Sequence, residues 1–140
     1  MKQVNKWAKK NKIGGLGEQI ATNYLKNKGF TILEKNYLKK WGEIDLVARG
    51  TTANGPIIRF IEVKTVSYET KSELNHAISH GTWRPEENIH FKKIQRLNRA
   101  IESWLMDHKY EGDWEIDALA VRLVTREKYA TVKYLPGIVL

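Results

Sequence analysis

The sequence predicts an α/β fold in which helices flank a mixed central β-sheet, in the order α-β-β-β-α-β-β. Three observations carry that reading. Ile57–Val66 is an apolar run rich in β-branched residues and bounded upstream by Gly55-Pro56, as a buried strand requires. Two other segments, 14–28 and 86–108, repeat apolar residues at helical spacing. The breaks between the first three strand-like runs are short and polar, which calls for an antiparallel meander.

Taken in order, residues 1–12 carry five lysines and little periodicity. They read as a mobile basic arm (residues 1–13) ahead of a single domain spanning 14–140. Gly14 to Lys28 reads as the first helix, with Gly29 as its stop and Leu16, Ile20, Ala21, Tyr24 and Leu25 as its core stripe. Glu18 falls at the margin of that stripe. A glutamate in a first turn also has a plain explanation, because it complements the helix dipole.

Phe30–Leu38 is the first strand, Lys39-Lys40-Trp41-Gly42 the turn, Gly42–Arg49 the second strand and Ile57–Val66 the third. Residues 67–87 are the least regular, with Gly81, Pro85 and alternating charges. A loop of that length is usually functional or mobile. His76 and His80 stand four apart, a spacing that suits a metal on a helix, yet no third ligand follows at a diagnostic spacing. Trp83-Arg84 offers a surface for stacking on a base, or equally for tucking the loop onto the body.

Glu86 to His108 is a long helix with Ile94, Leu97, Ile101, Trp104 and Leu105 inward. Lys93 lies one turn before Leu97 and leans toward the packed side, while Lys92 and Gln95 point away. Snorkelling is the ordinary explanation for such a lysine. Trp114–Val124 and Tyr129–Leu135 are the last two strands, joined by a hairpin at 125–128, and Asp117 shares a face with Leu119 and Val121.

The totals bound the function. The chain has 140 residues, enough for one domain with a real core. It has no cysteine, which excludes disulfides and thiolate metal sites and fits a reducing, cytoplasmic location. No apolar run approaches the length of a membrane span, and residues 1–7 lack the apolar core of a secretory signal. A net charge of +8 points to a polyanionic partner, with nucleic acid ahead of a membrane surface. A soluble basic protein with no such partner has the same totals.

The conflict in the sequence lies within the third strand. Glu62 and Lys64 share a face of an otherwise apolar run, and burying an unpaired charge is costly. Asp45 sits in the neighbouring run Gly42-Glu43-Ile44-Asp45-Leu46-Val47-Ala48. If these strands pair, Asp45 and Glu62 lie side by side, and two close carboxylates repel. A hard divalent cation removes the repulsion, with carboxylates, waters and substrate phosphate as ligands. Lys64, about 7 Å along the strand from Glu62, is placed to orient or deprotonate a water or to stabilise charge on a phosphate. Together these parts suit phosphodiester hydrolysis.

Asp45 followed by Glu62-Val63-Lys64 resembles the PD-(D/E)XK nuclease signature. Around it, Gly14-Gly15-Leu16-Gly17-Glu18, Ala21, Tyr24-Leu25, Gly29-Phe30, Asn36-Tyr37, Gly42-Glu43-Ile44-Asp45-Leu46, Phe60-Ile61-Glu62-Val63-Lys64-Thr65, Lys93-x-x-Arg96-Leu97 and Ile116-Asp117 resemble the bacterial YraN-like family. That family is classed as predicted endonucleases akin to archaeal Holliday-junction resolvases. The resemblance runs from about Gly14 to Val121. It implies a restriction-endonuclease-like fold and a Mg²⁺- or Mn²⁺-dependent DNA endonuclease, structure-selective rather than sequence-specific. Asp45 and Glu62 match the metal-binding acids, the Val63 carbonyl a further ligand, Lys64 the catalytic lysine, and Glu18 an acid that the N-terminal helix adds to the site. Lys93 matches a basic residue that contacts phosphate, and Arg84, Lys92, Arg96 and Arg99 are expected beside it on nucleic acid. Glu43 and Asp117 match recurring acids of unassigned role, and alternation puts Glu43 on the Asp45 face. Val66 departs from the basic residue common at that position. The 67–87 loop is longer than typical.

The expected partner is therefore branched or duplex DNA, with no membrane. Resolvase-like action calls for two sites and hence a homodimer. Two other readings use the same fold: a non-catalytic nucleic-acid-binding module and a protein-interaction scaffold.

Overall fold

The computed structural model describes the backbone of residues 6–80 and 91–138, and the side chains of residues 12–80 and 93–138. Eight principal elements follow one another: α1 (Lys6–Asn27), β1 (Thr31–Lys39), β2 (Gly42–Thr52), β3 (Gly55–Ser67), α2 (Lys71–Ser79), α3 (Phe91–Asp107), β4 (Trp114–Val124) and β5 (Tyr129–Leu135). The strands form one sheet in the order β1-β2-β3-β4-β5. β1, β2 and β3 make the antiparallel meander read from the sequence. β3 and β4 are parallel, so the chain must cross over between them, and α2 and α3 lie in that connection. β5 returns antiparallel to β4 through a short 3-10 turn, Thr125–Glu127, that ends with Lys128 in the left-handed region.

Helices cover both faces of the sheet. α1 contributes Ala21 and Leu25 to a core with Leu46, Ala48, Ile61, Leu119, Val121 and Leu123. α3 contributes Leu97, Ala100, Ile101 and Trp104 to a second core with Ile44, Val47, Ile58 and Phe60. Phe60 meets the edges of Trp104 and Trp114 at ring-centre distances of 5.4 and 5.6 Å. It is fully buried, which stabilises the fold by roughly 1.5–3 kcal/mol. This is a mixed α/β architecture consistent with a restriction-endonuclease-like fold.

Both helices are seated by glycines. A Cβ at Gly17 would fall 1.9 Å from Thr65 Oγ1, and one at Gly42 would fall 1.9 Å from the Arg96 carbonyl oxygen. Only a residue without a side chain lets α1 rest on β3, and the start of β2 rest on α3, that closely. The two seats lie on opposite faces of the sheet.

Two elements differ from the sequence reading. α1 begins at Lys6 rather than Gly14, so the basic segment from Lys6 onward is helical and continuous with the helix that carries Glu18. Glycines 14, 15 and 17 suggest a break by propensity, but tertiary contact at Gly17 holds the helix through them. Within 67–87 stands α2, capped by Thr70, whose hydroxyl accepts from the Glu73 N–H at 3.1 Å. Thr70-x-x-Glu73 is a helix-start signal visible in the sequence. Residues 81–90 lie outside the described residues, and so do the expectations for Trp83-Arg84 and for the first residues of the 86–108 helix.

Candidate active site

The β2–β3 ladder stops at Leu46↔Ile61. One step further, the register would set Asp45 against Glu62. The Asp45 side chain takes over the backbone's role there, with Oδ2 accepting the Val63 N–H at 2.8 Å. The two strands part at this point, and the acids lie in the gap.

Strand β1 has its own irregularity alongside. Asn36 has φ 52°, in the left-handed region that asparagine tolerates better than most residues. Asn36 and Asp45 fall between the pairs Lys35↔Leu46 and Tyr37↔Ile44. Across that step the alternation breaks. Leu46 packs on the α1 side, whereas Ile44, two residues away, packs on the α3 side. Asn36 uses the distortion to hydrogen-bond the Glu18 carboxylate arriving from α1.

The electrostatics are those of a crowded acidic site. Burial pushes Asp45 up to about 7; the Val63 N–H opposes this, while the charges of Glu62, Glu18 and Glu43 add to it. Burial also raises Glu18, with the Asn36 hydrogen bond and Lys35 opposing and Glu43 adding. Glu62 is half-buried and pairs with the Lys93 ammonium from α3. Lys64 is half-buried on β3, on the face it shares with Glu62, and lies beside Ala120 of β4.

The structure thus brings together Glu18, Glu43, Asp45, Glu62 and Lys93, with Val63 tied to Asp45 and Lys64 two residues along. Arg96 and Arg99 are exposed further along α3. Arg84 lies outside the described residues, and so does the side chain of Lys92. His76 and His80 stack on each other at 3.9 Å in the last turn of α2, and the His80 ring also contacts the His76 carbonyl at 2.9 Å. Among the described residues no three histidine, aspartate or glutamate side chains converge closely enough to hold an ion as they stand.

The donor set nevertheless fits a hard cation. It consists of carboxylate oxygens, and Asp45 carries an electrostatic penalty that a positive ion would relieve.

Periodicity missed Asn36 as part of this site. The signal available was an asparagine in the middle of a strand, where it is disfavoured unless the backbone needs it. Among the described residues Asp117 is the fully buried acid, and its surroundings differ from those of half-buried Asp45. It is fully buried on β4 and accepts from Arg59 at 3.0 Å, the Gly137 N–H at 2.8 Å and the Tyr134 hydroxyl. Arg59 also reaches Glu115 at 2.9 Å. The Tyr134 hydroxyl is held above its ordinary range by burial and by Asp117.

The mixed five-stranded sheet with helices on both faces is consistent with a restriction-endonuclease-like fold. A family model described as uncharacterised protein family UPF0102 matches residues 17–123. The chain belongs to that family, consistent with the YraN-like resemblance in its motifs. It is 37% identical over 119 residues to a UPF0102 protein from Alkaliphilus oremlandii, covering 83% of this chain and 89% of the relative. UPF0102 proteins from Campylobacter lari and Thermotoga maritima are 35% and 36% identical, covering 75% and 74% of this chain and 79% and 81% of theirs.

Proposed function

We propose that the protein is a metal-dependent endonuclease that hydrolyses phosphodiester bonds in DNA, selecting for structure rather than sequence. One observation carries the reading. Asp45 stands where β2 and β3 part, under the charge of Glu18, Glu43 and Glu62, with Lys64 on the same face as Glu62. A structural acid would be expected to meet cations or several donors, whereas Asp45 meets the Val63 N–H and three other acids. The expected ion is Mg²⁺ or Mn²⁺, held by Asp45, Glu62 and the Val63 carbonyl; when bound it would acidify water and neutralise phosphate charge.

The chain's own groups supply the rest. Lys64 orients or deprotonates the attacking water or stabilises the charge developing on the phosphate. Glu18, fixed by Asn36, adds a carboxylate from the α1 side. Lys93, Arg96 and Arg99, with Arg84 and Lys92, contact phosphates and position the DNA without reading bases. Two copies of the site, and hence a homodimer, would serve a branched substrate.

The test is a cleavage assay on single-stranded, duplex, flap and four-way-junction DNA in Mg²⁺ or Mn²⁺ against a chelator, with Asp45→Asn beside wild type. Metal-dependent cutting that vanishes in Asp45→Asn, Glu62→Gln and Lys64→Ala is expected, with DNA binding largely kept. Unchanged cutting in those variants sinks the site. The second reading, a non-catalytic binding module, draws on one observation: Glu62 is already engaged by Lys93. It predicts salt-sensitive DNA binding with no turnover in any metal.

A further inference from the structure

A tryptophan is exposed at the end of the sheet nearest the acids. Trp41 occupies the β1–β2 turn, and the residue keeps 43% of its surface in solvent. It is four residues from Asp45 on the same strand run, roughly 13 Å at strand rise. The ring is held in place. Its Nε1–H donates to Ser103 Oγ on α3 at 2.9 Å, and the next residue, Gly42, rests on the Arg96 carbonyl.

The same helix links it to the site. Lys93, Arg96 and Ser103 recur at intervals of three and seven, so they share one stripe of α3. That stripe starts at the partner of Glu62, passes exposed Arg96 with exposed Arg99 beside it, and ends under the Trp41 ring. Over ten residues it spans roughly 15 Å. Exposed Lys40 adjoins the ring in the turn. A cationic row ending in a fixed, half-exposed indole matches the two requirements of single-strand recognition: charge along the backbone and a flat face for a base.

We infer that Trp41 is a base-stacking platform and that the preferred nucleic acid presents an unpaired base a few nucleotides from the phosphate at Asp45. Stacked strands rise about 3.4 Å per base, so the gap corresponds to roughly four steps. A blunt duplex keeps its internal bases stacked and offers the ring only its end pairs. A fork, flap or junction can present an unpaired base. The inference rests on the nucleic-acid part of the proposed function, and not on catalysis.

The experiment measures binding in chelator, so that cutting does not intervene. Labelled single-stranded, blunt-duplex and forked DNA are titrated with wild type, Trp41→Ala, Trp41→Phe and Ser103→Ala, and urea midpoints establish that each variant is folded. Trp41→Ala is expected to weaken single-strand and fork binding about 5- to 150-fold and to leave blunt-duplex binding within about twofold. Trp41→Phe keeps most of the affinity because a ring remains, and Ser103→Ala loses part because the ring is no longer fixed. Equal losses on all three DNAs, or no loss on the fork, overturn the stacking role while the nuclease reading stands. Wild type that binds none of the three overturns both. Binding with these differences but no cutting in metal supports the platform and refutes only the catalytic reading.

Discussion

Asp45 and Asp117 both stand on inner strands of one sheet, and their surroundings are opposite. Asp117 is enclosed by Arg59, the Tyr134 hydroxyl and the Gly137 N–H. The cluster ties β3, β4 and β5 together and fixes the chain after β5, where the Ile138 N–H also donates to the Ile116 carbonyl at 2.7 Å. Among the described residues Asp45 accepts the Val63 N–H and has three other carboxylates acting on it. A buried acid whose valences are filled by donors holds a fold together. A half-buried acid whose neighbours are acids weakens the fold unless a cation arrives, and that asymmetry supports the role proposed for Asp45.

The largest effect is expected at Asp117. Asp117→Ala leaves the largely buried Arg59 and the Tyr134 hydroxyl without their acceptor, and it should cost about 3–5 kcal/mol in urea denaturation. A loss below about 1 kcal/mol would show that the cluster holds little together.

At Asp45 the sign reverses. Its folded pKa, about 7, lies above the ordinary carboxylate value near 4. Its neutral form therefore suits the fold. The resulting stability is fully present below about pH 4 and disappears as pH rises through about 7. Asp45→Asn, always neutral, should match wild type in acid and exceed it at pH 8 by roughly 2–4 kcal/mol. A stability difference that does not change between pH 4 and 8 would remove the electrostatic argument for the site.

A cation should recover what ionised Asp45 loses. With Mn²⁺ at a hundred times its dissociation constant, wild type at pH 8 should gain about 2.7 kcal/mol, read as a rise in melting temperature, and Asp45→Asn should gain little. Equal responses would mean that the ion binds elsewhere.

The smallest effect concerns Lys93. Its half-exposed pair with Glu62 competes with a cation, so Lys93→Met should tighten Mn²⁺ binding about two- to fivefold by calorimetry and weaken DNA binding. Weaker Mn²⁺ binding in the variant would show that Lys93 supports the site rather than competing for it.

Much of this was legible in the chain. Period-2 and period-3.6 patterns set the strands and the two main helices, and they set Glu62 and Lys64 on the face opposite Ile61 and Val63. The same alternation failed at Asn36 and Asp45. A left-handed residue in β1 beside the acid in β2 reverses the expected faces, and no periodic rule anticipates that. Asp117 read as inward and proved so, but its partners Arg59 and Tyr134 lie 58 and 17 residues away in sequence. α1 extended past its glycines because the seat on Thr65 is a long-range contact, beyond the reach of local propensity.

By itself the sequence determined the residue types at the candidate site, the α/β class and the basic surface, because each depends on local composition and spacing. Tertiary structure alone decided that β2 and β3 part at Leu46↔Ile61, that Lys93 pairs with Glu62, and that Trp41 ends a cationic stripe anchored on Ser103. These depend on register and helix seating, where a one-residue shift would send every side chain to the opposite face.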